Sequence, residues 1–441
     1  MPNILERKSY TMIYLDNAAT SWPKPESVYQ TMDQFLREKG GNPGRGGHSL
    51  AVAAGEIIEE TRMLVSCLIN ATEMERIIFT AGCTDALNLG LKGLLRAGDH
   101  VITSRIGHNS VVRPLRKLER QGVKITRLPP SPETGVISAQ DIEAAITEDT
   151  KLVVITHASN VTGVIQPIEE YGTVTRKHNL IFMVDAAQTA GKHPINAQEG
   201  NIDLLAFSGH KGLFGPPGTG VLYVGNRVDL DSLREGGTGS FSDLDEQPNT
   251  LPYKYESGTV NSVGISGLGA GLKYIFHEGL ERIDAHERYL TDRLVEGLSD
   301  LPELTLYTAK DSSKQAPVIS FNIDGYEPGE VGAIFDQAFD IKARTGLHCA
   351  PAAHKTLGSY PSGTIRLSPG YFNTADDIEL TLEALVKIIK TEPPNGLSKT
   401  RNRGNIVTSV RKKEKCHPAS PRKDRRLSNK SSKLTQNELR N

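Results

Sequence analysis

Short apolar runs recur through the first half of the chain, and segments long enough for a helix separate most of them. The runs are Ile77–Thr80, Val101–Ser104, Leu152–Thr156, Ile181–Asp185, Leu204–Ser208 and Val221–Val224. Continuous apolar strands separated by helices are typical of a mostly parallel sheet that is covered on both faces. The sequence therefore predicts an α/β fold built on a large, mostly parallel sheet sandwiched by helices.

The pattern changes after residue 263, where helical periodicity dominates as far as Leu298. Strand candidates follow at Val318–Ile323, Ile341–Arg344 and Thr364–Leu367, and a closing helix is predicted over Thr374–Lys390 with Thr374 as its N-cap. We therefore predict a large domain at 21–263 and a smaller α+β C-terminal domain at 264–390. Residues 1–20 are predicted to be an N-terminal segment that packs on the small domain.

Residues 391–441 differ from the rest of the chain in charge. They contain 14 Lys/Arg and 4 Asp/Glu, a net charge of +10, whereas the first 390 residues contain 37 and 48, a net charge of −11. Because this segment lacks apolar periodicity, we predict that it is a disordered basic tail. Its charge would favour binding to phosphates, but it has no Phe, Tyr or Trp on which bases could stack, so nucleic acid is a disfavoured partner.

The sequence also predicts the cellular compartment of the protein and the state of its cysteines. It has neither a run of 18 apolar residues nor an N-terminal signal peptide, so we predict a cytoplasmic protein without a membrane partner. Its cysteines, Cys67, Cys83, Cys349 and Cys416, form no C-x-x-C pair, which argues against disulfides and zinc sites. We expect Cys67 and Cys83 to be buried structural residues and Cys416 to be exposed in the tail.

Polar residues follow five of the predicted strands. They are Thr84, His108, His157 to Asn160, Asp185 to Gln188, and Ser208 to Lys211. Because ligands of open α/β sheets bind at the carboxyl ends of the strands, these side chains predict a polar crevice.

Lys211 and Asp185 carry the most specific chemistry in this crevice. A lysine that directly follows a buried strand can be desolvated, which lowers its pKa and makes the amine a nucleophile for Schiff-base formation. A carboxylate at a neighbouring strand end suits a pyridinium nitrogen. Thr84, at the start of a helix, could help to bind a phosphate. A solvated loop lysine is the alternative for Lys211.

The segment 215–220, Gly-Pro-Pro-Gly-Thr-Gly, resembles the start of an ATPase phosphate-binding loop. That loop continues with Lys and Ser/Thr into a helix. Here Val221 and Leu222 follow and enter a predicted strand, so the sequence argues against an ATPase.

Two further residues could act on a substrate. Cys349, on a glycine-containing loop, is either an exposed thiol of lowered pKa or a buried structural residue. A metal site with His348 and His354 is disfavoured because the spacing matches no usual pattern. Arg366, within an apolar strand, is either part of a structural ion pair or a fork for a substrate carboxylate.

From Ile13 to about Lys390 the chain resembles the fold-type I, class V aminotransferase group of enzymes that use pyridoxal 5'-phosphate (PLP). Within this group it is similar to the cysteine desulfurases and selenocysteine lyases. The resemblance rests on the segments 156–160 (Thr-His-Ala-Ser-Asn), 184–188 (Val-Asp-Ala-Ala-Gln), 208–211 (Ser-Gly-His-Lys), 255–259 (Tyr-Glu-Ser-Gly-Thr), 344–350 (Arg-Thr-Gly-Leu-His-Cys-Ala) and 365–368 (Ile-Arg-Leu-Ser). It implies a sheet of the seven-stranded type in the large domain.

The resemblance also implies a role for each candidate site residue. Lys211 would hold PLP covalently and move protons, Asp185 would pair with the pyridinium nitrogen, and Gln188 would bond the ring oxygen. His108 would stack on the ring. The remaining cofactor contacts would come from Asn160, Thr84, Ser208, His210 and, from a partner subunit, Thr259. Arg366, Arg344 and Asn160 would bind the substrate, and Cys349 would be the nucleophile.

The activity implied is conversion of L-cysteine to L-alanine with the sulfur held as a persulfide on Cys349. The protein would be a homodimer with shared active sites and could pass its sulfur to an acceptor protein. The alternatives are a selenocysteine lyase and another class V aminotransferase or lyase in which Cys349 is incidental. A non-catalytic body with a nucleic-acid-binding tail is the alternative from a different class.

Overall fold

The structure is a computed structural model that describes residues 12–44 and 47–391. The basic tail after Thr391, Cys416 and the first eleven residues lie outside this range. The strands are β1 (Ile13–Tyr14), β2 (Ile77–Thr80), β3 (His100–Ser104), β4 (Lys124–Leu128), β5 (Thr150–Thr156), β6 (Ile181–Asp185), β7 (Leu204–Ser208), β8 (Gly220–Val224), β9 (Leu304–Leu306), β10 (Ile319–Ile323), β11 (Ile341–Lys342), β12 (Arg344–Gly346) and β13 (Thr364–Leu367).

The α-helices show the same alternation along the chain. They are α1 (Glu26–Glu38), α2 (Ser49–Leu68), α3 (Cys83–Leu94), α4 (Asn109–Glu119), α5 (Ala139–Ala144), α6 (Ile168–Lys177), α7 (Ser262–Glu278), α8 (Leu280–Ser299), α9 (Pro328–Phe339), α10 (Pro351–Leu357) and α11 (Ala375–Lys390). None of the helices in the described ranges is long and apolar enough to span a membrane.

The central sheet has seven strands in the order β2-β8-β7-β6-β5-β3-β4. Neighbours from β7 to β4 are parallel, whereas β8 is antiparallel to both β7 and β2. The predicted α/β fold with a mostly parallel sheet is therefore confirmed. The sequence analysis missed β4, because this strand at the edge of the sheet has the sequence Lys-Ile-Thr-Arg-Leu, which is mostly polar and lacks a continuous apolar run.

A second sheet, β12-β13-β10-β9, is antiparallel and comes from the C-terminal part of the chain. The single strand predicted over Ile341–Arg344 is wrong, because β11 pairs with β1 and β12 pairs with β13. The described part of the N-terminal segment therefore contacts C-terminal strands. The helix α11 begins as predicted, with a capping box between Thr374 and Asp377. The domain boundaries at residues 20 and 263 stay predictions.

Two layers of apolar side chains cover the faces of the central sheet, and both are built from strand and helix residues. On one face Phe182 and Phe207 pack with helices α2, α6 and α7, and on the other Val154 and Met183 pack with α3 and α4. Fully buried strands have little freedom to move, since interiors are close-packed. The sheet therefore fixes the positions of the residues that directly follow its strands.

The prediction for Cys67 was wrong. This residue lies near the end of α2, and its side chain is exposed. Its neighbours Val65 and Ser66 are buried, so the apolar face of the helix passes beside Cys67.

Candidate active site

The carboxyl ends of β2, β3, β5, β6 and β7 meet around a cavity of about 170 Å³. Eight of the predicted site residues line it: Thr84, His108, Asn160, Asp185, Gln188, Ser208, His210 and Lys211. The expectation that the polar strand ends converge is therefore met by the geometry.

Lys211 lies in the turn that follows β7 and faces this cavity. Burial lowers the pKa of its amine below the usual value for lysine, while Cys83 and Asp185 act in the opposite direction. A lowered pKa raises the fraction of neutral amine at physiological pH, and the neutral amine is the nucleophilic form. Lys211 is thus suited to form a bond with a carbonyl group.

Asp185 is the last residue of β6 and is buried. Its Oδ1 accepts the backbone N–H of Ala187 at 3.1 Å and the thiol of Cys83 at 3.5 Å. Within the described residues nothing donates to Oδ2, which leaves this oxygen for a ligand in the cavity. Cys83 is buried as predicted, but the sequence analysis missed its contact with Asp185, which only the fold creates.

Burial raises the pKa of the Cys83 thiol well above its usual range, so Cys83 acts as a neutral donor to Asp185. We expect Cys83→Ala to weaken binding of PLP, the cofactor that the resemblance implies, about three- to tenfold, the value of one net hydrogen bond of about 1 kcal/mol. Cys83→Ser, which keeps a donor, should bind PLP within about twofold of the parent protein. Titration of the apoprotein with PLP measures these affinities, and Cys67→Ala serves as the control thiol. Equal affinities for the Ala and Ser variants would contradict this role.

His108 follows β3 and caps helix α4. Its Nδ1 accepts the backbone N–H of Ser110 at 3.1 Å and lies 2.9 Å from the Ser110 hydroxyl, which contacts the Thr84 hydroxyl at 2.7 Å. Because Nδ1 is an acceptor, the ring proton of neutral His108 is on Nε2. Burial lowers the pKa of His108, which favours this neutral form.

Several polar groups around the cavity are available for an anionic, ring-containing ligand. Buried Nδ1 of His210 and Oδ1 of Asn160 have no hydrogen-bond partner in the described residues. Helix α3 begins after Gly82 without a side-chain cap, so its first N–H groups are free for a phosphate. Together with the reactive amine of Lys211 and the free Oδ2 of Asp185, these groups fit PLP, which carries a phosphate, an aldehyde and a pyridine nitrogen.

The segment that resembles a phosphate-binding loop has a packing role instead. Gly220 begins β8 and lies so close to β2 that a Cβ here would be 2.4 Å from backbone atoms of Gly82. The absent side chain lets β8 approach the turn that starts helix α3, which positions Thr84 at the cavity.

His157 is a buried histidine between Thr156 and Ala158, which line the Lys211 cavity. It follows β5, and its Nδ1 lies 2.9 Å from the Thr189 hydroxyl. Burial lowers its pKa to about 3. An unfolded histidine takes up a proton near pH 6.5, so the unfolded state binds more protons between about pH 6.5 and pH 3. The stabilisation from neutral His157 is therefore present above this range and is lost as the pH falls.

We expect His157 to account for about 2 kcal/mol of the free energy of unfolding that is lost between pH 7 and pH 5. Urea unfolding at both pH values measures this loss, which should be smaller by that amount in His157→Gln. His178→Gln, at an exposed histidine, controls for the substitution of histidine by glutamine itself. An equal loss in His157→Gln and the parent protein would contradict the assignment.

Cys349 lies on the loop between β12 and α10, and its thiol is exposed. Three loop residues have left-handed backbone conformations: Gly346 (φ 97°), His348 (φ 47°) and Cys349 (φ 57°). Such conformations cost about 1–3 kcal/mol for each non-glycine residue and persist where surrounding contacts enforce them. Here Asn160 Nδ2 donates to His348 O at 2.6 Å, and Asn109 N–H donates to Cys349 O at 2.9 Å.

These contacts hold Cys349 at a second cavity of about 450 Å³. Thr84, His108 and Ser110 line both this cavity and the one that contains Lys211, so the two adjoin. Nη2 of Arg344 lies 3.9 Å from the Cys349 sulfur. The structure thus brings the candidate nucleophile to the entrance of the Lys211 cavity.

Arg366 lies on β13, is almost fully buried and lines neither of the two cavities. Its Nη2 donates to Asp16 Oδ1 at 2.7 Å, its Nη1 donates to Asn160 O at 3.1 Å, and its Nε has no partner. The structural ion pair that the sequence left open is therefore present. The sequence analysis missed its partner Asp16, which lies in the N-terminal segment 1–20.

Thr259 is the one candidate cofactor residue that does not line the Lys211 cavity. It lies instead in a separate cavity of about 200 Å³ beside a buried ion pair, in which Arg62 Nη1 donates to Glu256 Oε1 at 2.8 Å. Its own chain therefore does not bring Thr259 to Lys211.

Comparison with known proteins agrees with this geometry. The family model described as Aminotransferase class-V matches residues 13–381. The chain is 37% identical over 383 residues to a probable cysteine desulfurase of Methanothermobacter thermautotrophicus, which covers 85% of this chain and 94% of the relative. A probable cysteine desulfurase of Pyrococcus abyssi is also 37% identical, over 390 residues, with coverage of 86% and 95%.

Solved structures give the same result. A cysteine desulfurase of Thermococcus onnurineus, in its apo form, has a TM-score of 0.81 and 36% identity, and the match covers 86% of this chain and 95% of the other. A cysteine desulfurase of Escherichia coli has a TM-score of 0.76 and 28% identity, with coverage of 85% and 94%. The chain therefore belongs to the class-V aminotransferase family of PLP enzymes, on its cysteine desulfurase branch.

Proposed function

We propose that the protein is a cysteine desulfurase that converts L-cysteine to L-alanine and retains the sulfur as a persulfide on Cys349. The observation that carries this proposal is the position of the exposed Cys349 thiol, on a strained loop at the entrance to the cavity that contains Lys211 and Asp185. An amine, a carboxylate and a thiol in adjoining cavities provide the groups that this reaction requires.

The residues that would hold PLP are those that line the cavity with Lys211, here called the inner cavity. Lys211 would bind it covalently, Asp185 Oδ2 would pair with the ring nitrogen, and Gln188 would contact the ring oxygen. Gln188 is itself positioned by a hydrogen bond from its Nε2 to Ala18 O at 3.0 Å. His108 would stack on the ring, and Asn160 would contact the cofactor or the substrate. The start of helix α3 with Thr84, Ser208 and His210 would bind the phosphate.

PLP, when bound, supplies an electron sink that stabilises negative charge at the α-carbon of an amino acid. The chain's own groups do the rest. Arg366 and Arg344 would bind the carboxylate of cysteine, and the unpartnered Nε of Arg366 is available for this contact. The neutral amine of Lys211 would remove and return the α-proton. Neutral His108, with its proton on Nε2, could donate a hydrogen bond from Nε2 to the substrate sulfur.

Cys349 would act as the nucleophile. Its thiolate attacks the substrate sulfur, a sulfur–sulfur bond forms, and the bond between that sulfur and the substrate β-carbon breaks. The electron pair of the broken bond stays with the carbon fragment, which is protonated to give alanine. Nη2 of Arg344, 3.9 Å from the sulfur, would help to position the Cys349 side chain toward the substrate.

A homodimer with shared active sites is part of this proposal. It is supported by Thr259, which lies in its own cavity away from Lys211 and would contribute to the phosphate site of a partner subunit. The relatives reported above are named cysteine desulfurases, which favours cysteine over selenocysteine as the substrate. The cytoplasmic location and the disordered tail stay predictions.

Product analysis tests the proposal. Incubation with L-cysteine and a reducing thiol should give alanine and sulfide in equal amounts. An aminotransferase in which Cys349 is incidental would instead give a keto acid and would need an amino-group acceptor. Formation of a keto acid from cysteine without alanine would overturn the proposal.

A further inference from the structure

The cavity at Cys349 is walled by the polar faces of two helices. On α3 the lining residues Thr84, Asn88 and Lys92 are spaced four residues apart, so they share one face of the helix. On α4 the lining residues include Arg113 and Lys117, which share a face in the same way. The faces enclose about 450 Å³ in front of the Cys349 thiol.

This cavity has a strong excess of positive charge. Lys92, Arg113 and Lys117 line it, no Asp or Glu does, and none of the three forms an ion pair within the described part of the chain. Arg116, on the same helix but outside the lining, does pair with Glu119 at 2.6 Å. Like charges one turn apart destabilise a helix by about 0.2–0.5 kcal/mol. Three uncompensated cations around one cavity therefore indicate that a negatively charged ligand enters it.

The inner end of the cavity adds to this positive potential. Helix α4 begins there, at Asn109, and its N-terminus carries partial positive charge. Arg344, beside the Cys349 sulfur, contributes a fourth cation. An anion that approaches Cys349 is thus attracted along the whole path from Lys117 inward.

The size of the cavity points to a small molecule. About 450 Å³ lies within the range of small-ligand sites. In the proposed reaction Cys349 carries a persulfide whose outer sulfur must leave before the next turnover. The ligand that completes the cycle has to be a nucleophile, and the charge of the cavity selects an anionic one.

We propose that this cavity binds a small thiol that carries carboxylate groups, and that this thiol is the sulfur acceptor. Its thiolate attacks the outer sulfur of the Cys349 persulfide, a new sulfur–sulfur bond forms, and the bond to the Cys349 sulfur breaks. The electron pair leaves with Cys349, which returns as a thiolate, and the acceptor leaves as a persulfide. No external oxidant or reductant is needed. This inference rests on the proposed desulfurase activity.

Single-turnover transfer tests the inference. The PLP-loaded enzyme is first charged with L-cysteine, and the Cys349 persulfide is verified by mass spectrometry. It is then mixed with mercaptosuccinate, 3-mercaptopropionate, 2-mercaptoethanol or cysteamine at equal thiolate concentrations. At low salt we expect the rate to fall in that order, with mercaptosuccinate at least about tenfold faster than 2-mercaptoethanol. Added salt should reduce this preference.

Substitutions that remove positive charges test whether the cations of this cavity cause the preference for mercaptosuccinate. The double substitution Arg113→Gln and Lys117→Gln should lower the preference for mercaptosuccinate at least about threefold. Lys92→Gln alone should lower this preference by a smaller factor. Arg116→Gln, on the same helix outside the cavity, is the matched control and should keep the full preference. All these variants should still form alanine in the first turnover.

Two results would overturn the inference. One is equal rates for all four thiols, and the other is a preference for mercaptosuccinate that survives the double substitution. Failure of the charging step, with no persulfide on Cys349, would instead refute the proposed function on which the inference rests. The charging and transfer steps are measured separately, so the two failures are distinguishable.

Discussion

Replacement of Lys211 by Ala is expected to lower cysteine turnover by at least about a thousandfold and to abolish covalent attachment of PLP. Lys211 is the one lysine among the residues that line the inner cavity, and burial lowers the pKa of its amine. No other lining side chain supplies an amine that could bond to the aldehyde or move the α-proton.

Borohydride reduction followed by peptide mapping measures the covalent attachment. Lys211→Arg serves as the control for charge, because it keeps the cation but is not a nucleophile, and it should be as inactive as the Ala variant. Thermal unfolding of both variants verifies that they are folded. A reducible PLP adduct in Lys211→Ala would show that another residue holds the cofactor.

Replacement of Cys349 by Ser should lower alanine formation from cysteine by at least about a thousandfold while PLP binding is unchanged. The thiol lies at the entrance to the inner cavity, not in its wall, so its loss removes the attack on sulfur and leaves the cofactor residues in place. The expected separation between turnover and cofactor binding distinguishes a nucleophile from a structural residue.

Cys67→Ser is the matched control, because Cys67 is the other exposed thiol in the described residues. It should retain the turnover of the parent protein. A Cys349→Ser variant that still forms alanine at the parent rate would show that the sulfur leaves by another route. The absorption of bound PLP, measured in parallel, verifies that each variant carries the cofactor.

The fold and the inner cavity could be predicted because strand ends are local features. Thr84, Asp185 and Lys211 each lie within four residues of an apolar strand, and parallel strands bring their carboxyl ends to one edge. A residue at a strand end is thus placed by the sheet alone, without knowledge of any other contact.

The contacts that the sequence did not reveal join distant segments. Asp16 and Arg366 are separated by 350 residues, and the thiol of Cys83 reaches Asp185 across 102 residues. Neither contact has a local pattern, because pairing depends on how the N-terminal segment and the turn before α3 lie on the sheet. The exposure of Cys67 was likewise missed, since it depends on which face of α2 meets α7.

The thiols illustrate this limit. From the sequence, Cys349 could be either exposed or buried. In the structure the residue is exposed, because it lies on a loop with left-handed backbone conformations. Hydrogen bonds from Asn160 and Asn109 enforce that loop, and both residues lie far from it in the sequence. The sequence can therefore identify a loop cysteine as a candidate nucleophile, but it cannot predict where the fold places the thiol.

Mass spectrometry of the PLP-loaded protein after brief incubation with L-cysteine tests the central claim most directly. After reduction, the peptide with Lys211 should carry PLP, and in an unreduced sample the peptide with Cys349 should carry the mass of one additional sulfur atom, with no such addition on Cys67. Alanine formation with an unmodified Cys349, or PLP on a different lysine, would contradict the account.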